Sequence, residues 1–201
     1  MADVSLQARS ALHGVARKGL IGRRTGAAGV TVREITGFAA LTVIARKGRT
    51  EDVATLLSKL VGAPVPDAAR RCSIDTVAVT GTGPGQWLVI DRSARIDGAL
   101  AVLRRDLDGL AAVADQGDGR LLLEISGPNA RDALAKGIAV DLDPVVFKIG
   151  DAAATMTAHI GVQVALIDAQ PTFELVSAAS TGASLWSWLV ASAAEFGMDV
   201  V

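Results

Sequence analysis

The stretch DQGDGRLLLEISGPNARDALAKG, residues 115–137, decides the fold. Its apolar run RLLLEI reads as a strand, SGP stops the run, and PNARDALAKG reads as a helix. Ser126 or Gly127 is placed to cap that helix. Pro128 suits the first turn, where a missing N–H costs little, and Gly137 suits a left-handed stop. EISGPN lacks the G-x-S-x-G spacing that exposes a catalytic serine on a strained turn. The local chemistry is strand, cap, helix and stop. A free helix N-terminus can still bind an anion, which leaves a binding role open.

Working outward, the same order appears twice. TVREI (31–35) and LTVIAR (41–46) read as strands. TEDVATLLSKLVG (50–62) reads as a helix with Thr50 placed to cap it and Glu51 and Asp52 in its first turn. Val53, Leu56, Leu57 and Leu60 fall at i, i+3, i+4 and i+7, and Gly62 and Pro64 end the helix. DTVAVTG and GQWLVID form a hairpin across TGPG, and ARIDGALAVLRRDL (94–107) is a second helix with Ile96, Leu100, Leu103 and Leu107 on one face. After the opening stretch, AAATMTAH and VQVALID pair as strands, TFELVS is another strand, and residues 180–197 form the last helix. Strand 41–46 aligns with 120–125 and helix 51–62 with 128–137, at an offset of about 80 residues. The pattern predicts an α+β fold: a duplicated β-α-β-β-α, ferredoxin-like unit with antiparallel sheets. Residues 1–30, Gly- and Arg-rich without apolar periodicity, form an N-terminal arm. Residues 31–201 form a single α+β domain with pseudo-repeat halves at about 31–116 and 117–201.

Composition excludes several classes. Half of the 201 residues are hydrophobic, enough for a substantial core. A net charge of −1 and 3% aromatic residues, with no Tyr, leave no footprint for nucleic acid or an anionic membrane. The single cysteine, Cys72, allows no intrachain disulfide and suits a reducing cytoplasm. The N-terminus shows no signal-peptide core. Residues 176–194 are uncharged and approach a membrane span of roughly 20 residues. They also carry five serines, so they read as a buried helix of a soluble protein.

Site motifs are few. GTGPGQ (81–86) is followed by a strand where a phosphate loop needs a helix, so it reads as a hairpin turn. His13 and His159 have no second ligand at metal spacing. Cys72 sits beside Arg70 and Arg71, which favour a thiolate, but a lone loop cysteine is ordinary.

The residues do carry a resemblance. DQGDGRLLLEISGPNARDALAKG, GPGQWL (83–88) and FELVSAAS (173–180) with LWSWLVASAAEFG (185–197) resemble the gamma subunit of heterotetrameric sarcosine oxidase. Asp143 stands in DLDP where that family is expected to carry histidine. GRLLLEISGPNARDAL and GVQVALIDAQPTFELVSAAS are also similar to the folate-dependent aminomethyltransferase, the T-protein of glycine cleavage. That enzyme's acidic pair falls here at about Gly161 and Val162, and an expected Asn falls near Ser177. A carboxylate can stabilise an iminium-like cation, whereas Gly and Val cannot.

The resemblance implies a non-catalytic assembly subunit of a complex that oxidises sarcosine to glycine. Hydrogen peroxide and formaldehyde or methylene-tetrahydrofolate are the other products. It implies alpha, beta and delta subunits as partners, with FAD, FMN, NAD, tetrahydrofolate and zinc on those chains. No catalytic, cofactor-binding or metal residue is expected in this one. Arg120, Trp87 and Ser126 are the candidate interface or structural residues, with Arg120 pairing with Asp115 or Asp118, meeting a partner's carboxylate, or standing as a free surface charge. A free-standing folate-binding transferase and a ligand-sensing α+β module remain alternatives.

Overall fold

The computed structural model describes residues 9–23, 25–93 and 98–201. It contains strands β1 (Gly19–Ile21), β2 (Val30–Ile35) and β3 (Ala39–Ala45), helix α1 (Thr50–Val61), strands β4 (Arg71–Ile74), β5 (Val77–Gly83) and β6 (Gln86–Asp91), and helix α2 (Ala99–Asp106). Then come β7 (Ala111–Asp115), β8 (Arg120–Ser126), α3 (Ala130–Ala135), β9 (Ala152–Thr157), β10 (Ile160–Asp168), β11 (Thr172–Ala178), α4 (Gly182–Ala193) and β12 (Met198–Val200).

The strands form two sheets. One has five strands in the order β4-β5-β6-β3-β7, and the other has seven in the order β1-β12-β2-β8-β11-β10-β9. Pairing is antiparallel except between β12 and β2. The duplication is visible in this topology and is longer than the sequence pattern predicts. Each half runs β-α-β-β-β-α-β: β3 corresponds to β8, α1 to α3, β4–β6 to β9–β11, α2 to α4 and β7 to β12. In the larger sheet β2 is inserted between β8 and β12, so a strand that precedes the first unit in sequence lies in the second unit's sheet. The unpredicted strands have a physical reason in common. β1 and β12 have three residues each, β4 has four, and β7 is the alanine-rich AAVAD. Such strands owe their conformation to a neighbour rather than to intrinsic propensity.

The layers stack as helices, sheet, sheet, helices. On the outer face of the smaller sheet, Val43, Val79, Trp87 and Val89 pack with Val53, Leu57 and Val61 of α1 and Leu100 and Leu103 of α2. On the outer face of the larger sheet, Leu121, Leu123, Ile125 and Leu175 pack with Leu134 of α3 and Leu185, Trp186 and Leu189 of α4. The inner faces meet through Ala40, Leu88 and Ile90 on one side and Leu122 and Val176 on the other. β8 is therefore buried on both faces, which is why RLLLEI is a continuous apolar run.

The helices differ in detail from the sequence pattern. Gly62 ends α1 in the left-handed region, φ 63°, while Thr50 opens it without a side-chain cap. α2 buries Leu100 and Leu103, and Leu107 is buried just past its end. Its expected start, with Ile96, lies outside the described residues. Ser126 does not cap α3. It ends β8, paired with Thr31 and Thr172, and Gly127 at φ 109° turns the chain. Asn129 then precedes α3, with no side-chain cap. Gly137 is not left-handed. Its role is close approach: a Cβ there would stand 2.5 Å from Trp188 Nε1 and 2.8 Å from Thr157 Oγ1. In α4, Trp186 is buried with Leu185 and Leu189, and Trp188 and Val190 are partly buried. No helix among the described residues is long and apolar enough to cross a membrane. Of the segment before residue 31, Leu12 is buried in the larger sheet's core and β1 pairs with β12.

Candidate functional site

The layer between the sheets carries the charged chemistry of the molecule. Glu124 of β8 and Glu174 of β11 are directly opposed in register. Both alternate with residues of the outer core and so face the smaller sheet. Two like charges at opposed positions repel unless cations share them. The smaller sheet supplies two. Arg71 of β4 donates to both Glu174 oxygens, at 3.0 and 3.2 Å. Arg92, just after β6, donates to Glu174 at 2.6 Å and also to Glu124. Glu174 is only 2% exposed. Burial by itself draws the Arg92 pKa down. Its hydrogen bonds to Glu124 and Glu174, with the charges of both, outweigh burial and leave it raised. The four side chains form a clasp that joins the two sheets. Arg70 adds a second link, pairing with Asp151 beside the backbone bridge between those two residues.

Past the clasp the layer opens. Leu122, Val176, Gln163 and Ala154 form one cross-strand row; Arg120 pairs with Ala178, and Gly161 with Met156, in the next. Ala154, Gly161 and Met156 are exposed there. Arg120, Gly161 and Gln163 border a concavity of about 430 Å³. Arg120 also borders a second one, of about 810 Å³, with Glu34, Phe38 and Asp118. Arg120 Nε is buried without a hydrogen-bond partner, and so is Gln163 Oε1. The expected pairing of Arg120 with Asp115 or Asp118 is not formed among the described residues; Asp115 instead accepts the Gly117 N–H at 3.0 Å.

The sequence-derived candidates are scattered. Trp87 is fully buried on the helix side of the smaller sheet, and its Nε1–H donates to the Pro66 carbonyl at 3.4 Å. Ser126 lies at the opposite end of β8 from Arg120. Gly161 and Val162, the positions of the acidic pair, do flank the open end with Arg120, but Val162 is 4% exposed and belongs to the outer core. Ser177 is buried, its hydroxyl donating to the Ala178 carbonyl at 3.4 Å. Cys72 is half-buried, 3.5 Å from the Pro64 carbonyl. Asp143 shapes a turn by accepting the Val145 N–H at 2.7 Å. His159 occupies the β9–β10 turn at φ 64°. No group of three or more His, Cys, Asp or Glu among the described residues is arranged to hold a metal. Sequence reasoning missed Arg71, Arg92, Glu124 and Glu174. The available signal was a lone carboxylate inside each of the apolar runs RLLLEIS and TFELVSA.

Known proteins share this architecture. The sarcosine oxidase, gamma subunit family matches residues 50–195. Sarcosine oxidase subunit gamma of Corynebacterium sp. (strain P-1) is 30% identical over 173 residues, covering 86% of this chain and 78% of that protein. A chain of the heterotetrameric sarcosine oxidase from Corynebacterium sp. U-96, solved with pyrrole 2-carboxylate, superposes with a TM-score of 0.78 at 24% identity, over 94% of this chain and 96% of that one. The glycine cleavage system aminomethyltransferase T of Bartonella henselae has the same fold at a TM-score of 0.61 and 16% identity, over 87% of this chain and 48% of that one. With a family match over most of its length and a 30%-identical relative, the chain belongs to the sarcosine oxidase gamma subunit family.

Proposed function

We propose that this chain is a non-catalytic assembly subunit. In this reading it joins alpha, beta and delta subunits in a cytoplasmic complex that oxidatively demethylates sarcosine. The products are glycine, hydrogen peroxide and formaldehyde or methylene-tetrahydrofolate. FAD, FMN, NAD, tetrahydrofolate and zinc reside on the other subunits. Residues 31–201 act as one domain and residues 1–30 as its arm. Trp87 and Ser126 serve internal structure.

One observation carries the reading. Where the wider transferase fold is expected to place its acidic pair, the open end of the layer has Gly161 and Val162. The carboxylates that do face the layer, Glu124 and Glu174, are held by Arg71 and Arg92, so neither is poised to accept a substrate proton.

Co-expression with the other subunits tests this. The assembled complex is expected to consume oxygen with sarcosine, and the chain alone is expected to show no turnover and no stoichiometric flavin absorbance. Sarcosine oxidation or transfer to tetrahydrofolate by the purified chain alone would refute the reading.

A further inference from the structure

We propose that the open end of the inter-sheet layer is a docking site for an acidic segment of a partner subunit, with a carboxylate seated on Arg120. This rests on the assembly role above and adds to it a surface and a partner chemistry.

Charge complementarity carries the argument. Among the described residues, Arg120 is the only charged one bordering the 430 Å³ concavity, whose other walls are small, apolar or neutral. Its Nε is buried without an acceptor. A buried guanidinium N–H without an acceptor is costly, and arginine's fork is matched by a carboxylate. The same molecule shows the completed version: Arg71 and Arg92, on the same layer, each hold a carboxylate.

The second orphaned atom lies on the same wall. Gln163 Oε1 is a buried acceptor with no donor, which suits a backbone N–H of an incoming segment. The floor is open at Gly161. A Cβ at Gly161 would meet nothing within 4 Å. Met156, half exposed on the edge strand β9, supplies an apolar rim. An open shelf with one charge and an apolar rim resembles a protein-docking surface. Small-molecule sites instead enclose most of their ligand. Arginine at such a centre is a common source of binding energy.

The test uses the full chain and the other subunits of the complex. Arg120→Glu, Arg120→Lys and Gly161→Trp are compared with wild type for affinity toward the remaining subunits, at low and raised salt. We expect a loss of at least about tenfold for Arg120→Glu and for Gly161→Trp, with a smaller loss for Arg120→Lys. The wild-type salt dependence should shrink in Arg120→Glu. Thermal midpoints of the isolated chains should stay unchanged. If Arg120→Glu does not fold, Gly161→Trp decides alone, because its side chain enters open space. Wild-type affinity in both variants would overturn the proposal. Normal assembly with Arg120-dependent binding of free glutamate to the isolated chain would make this a small-anion pocket and overturn docking. Failure of the wild-type chain to join the other subunits would overturn the assembly role, and the docking site with it.

Discussion

Arg92 and Arg120 border one inter-sheet layer and meet opposite surroundings. Arg92 finds Glu124 and Glu174 on the facing sheet. Arg120, four positions before Glu124 on β8, forms no ion pair among the described residues, although Glu34 and Asp118 border the neighbouring concavity with it. The same side chain is thus a finished joint at one end of the layer and an unfinished one at the other. Burial penalises the Arg92 guanidinium, while at Arg120 it removes Nε from solvent. At the closed end that penalty is offset within the chain, and at the open end the proposed partner carboxylate would complete the pairing.

The most severe way to break this contrast is to remove the shared carboxylate. Glu174→Ala strips Arg71 of its carboxylate and leaves Arg92 only Glu124, and should cost about 3–5 kcal/mol in urea unfolding of the purified chain. A cost near that of an exposed pair would show that the clasp is not truly closed. Glu124→Ala removes one charged hydrogen bond while Arg92 keeps Glu174, and should cost about 1.5–3 kcal/mol in the same assay. Its ordering below Glu174→Ala follows from Glu174 having two arginine partners.

At the open end, Arg120→Ala should change the stability of the isolated chain by about 0.5 kcal/mol or less, because it breaks no ion pair there. A larger loss of thermal midpoint would mean that Arg120 is a structural residue after all. The smallest effect is with pH. The folded-state pKa of Arg92 is raised, so the stability it contributes is fully present below the ordinary arginine value and is lost only as pH rises through the raised one. The stability difference between wild type and Arg92→Met should therefore be equal at neutral pH and at about pH 10. A difference that collapses by then would place the clasp's protonation elsewhere.

Much of the architecture is legible along the chain. The stripe Val53, Leu56, Leu57 and Leu60 does face the core with α1, the hairpin of β5 and β6 turns at the expected Pro-Gly, and the duplication shows at its expected spacing. The differences lie at ends and edges. Ser126 looked like a cap because helix starts are marked by small polar residues. The turn at Gly127 instead extended the strand and moved the helix start to Ala130. Gly137 looked like a left-handed stop, yet it is glycine because Trp188 and Thr157 leave no room.

Patterns of this kind depend on neighbours within a few residues, so helices, hairpins, the repeat and the absence of a nucleophile motif could all be read from the amino-acid order. The family resemblance followed from the same local runs. Long-range partnership is a different matter. Glu174 and Arg71 stand 103 positions apart, and no local rule links them. The insertion of β2 between β8 and β12 is decided by sheet pairing rather than chain order. Arg92 and Arg120 are chemically the same residue. One closes a clasp and the other forms no ion pair among the described residues, because an arginine's role inside a protein is set by which charges the folded layers bring opposite it.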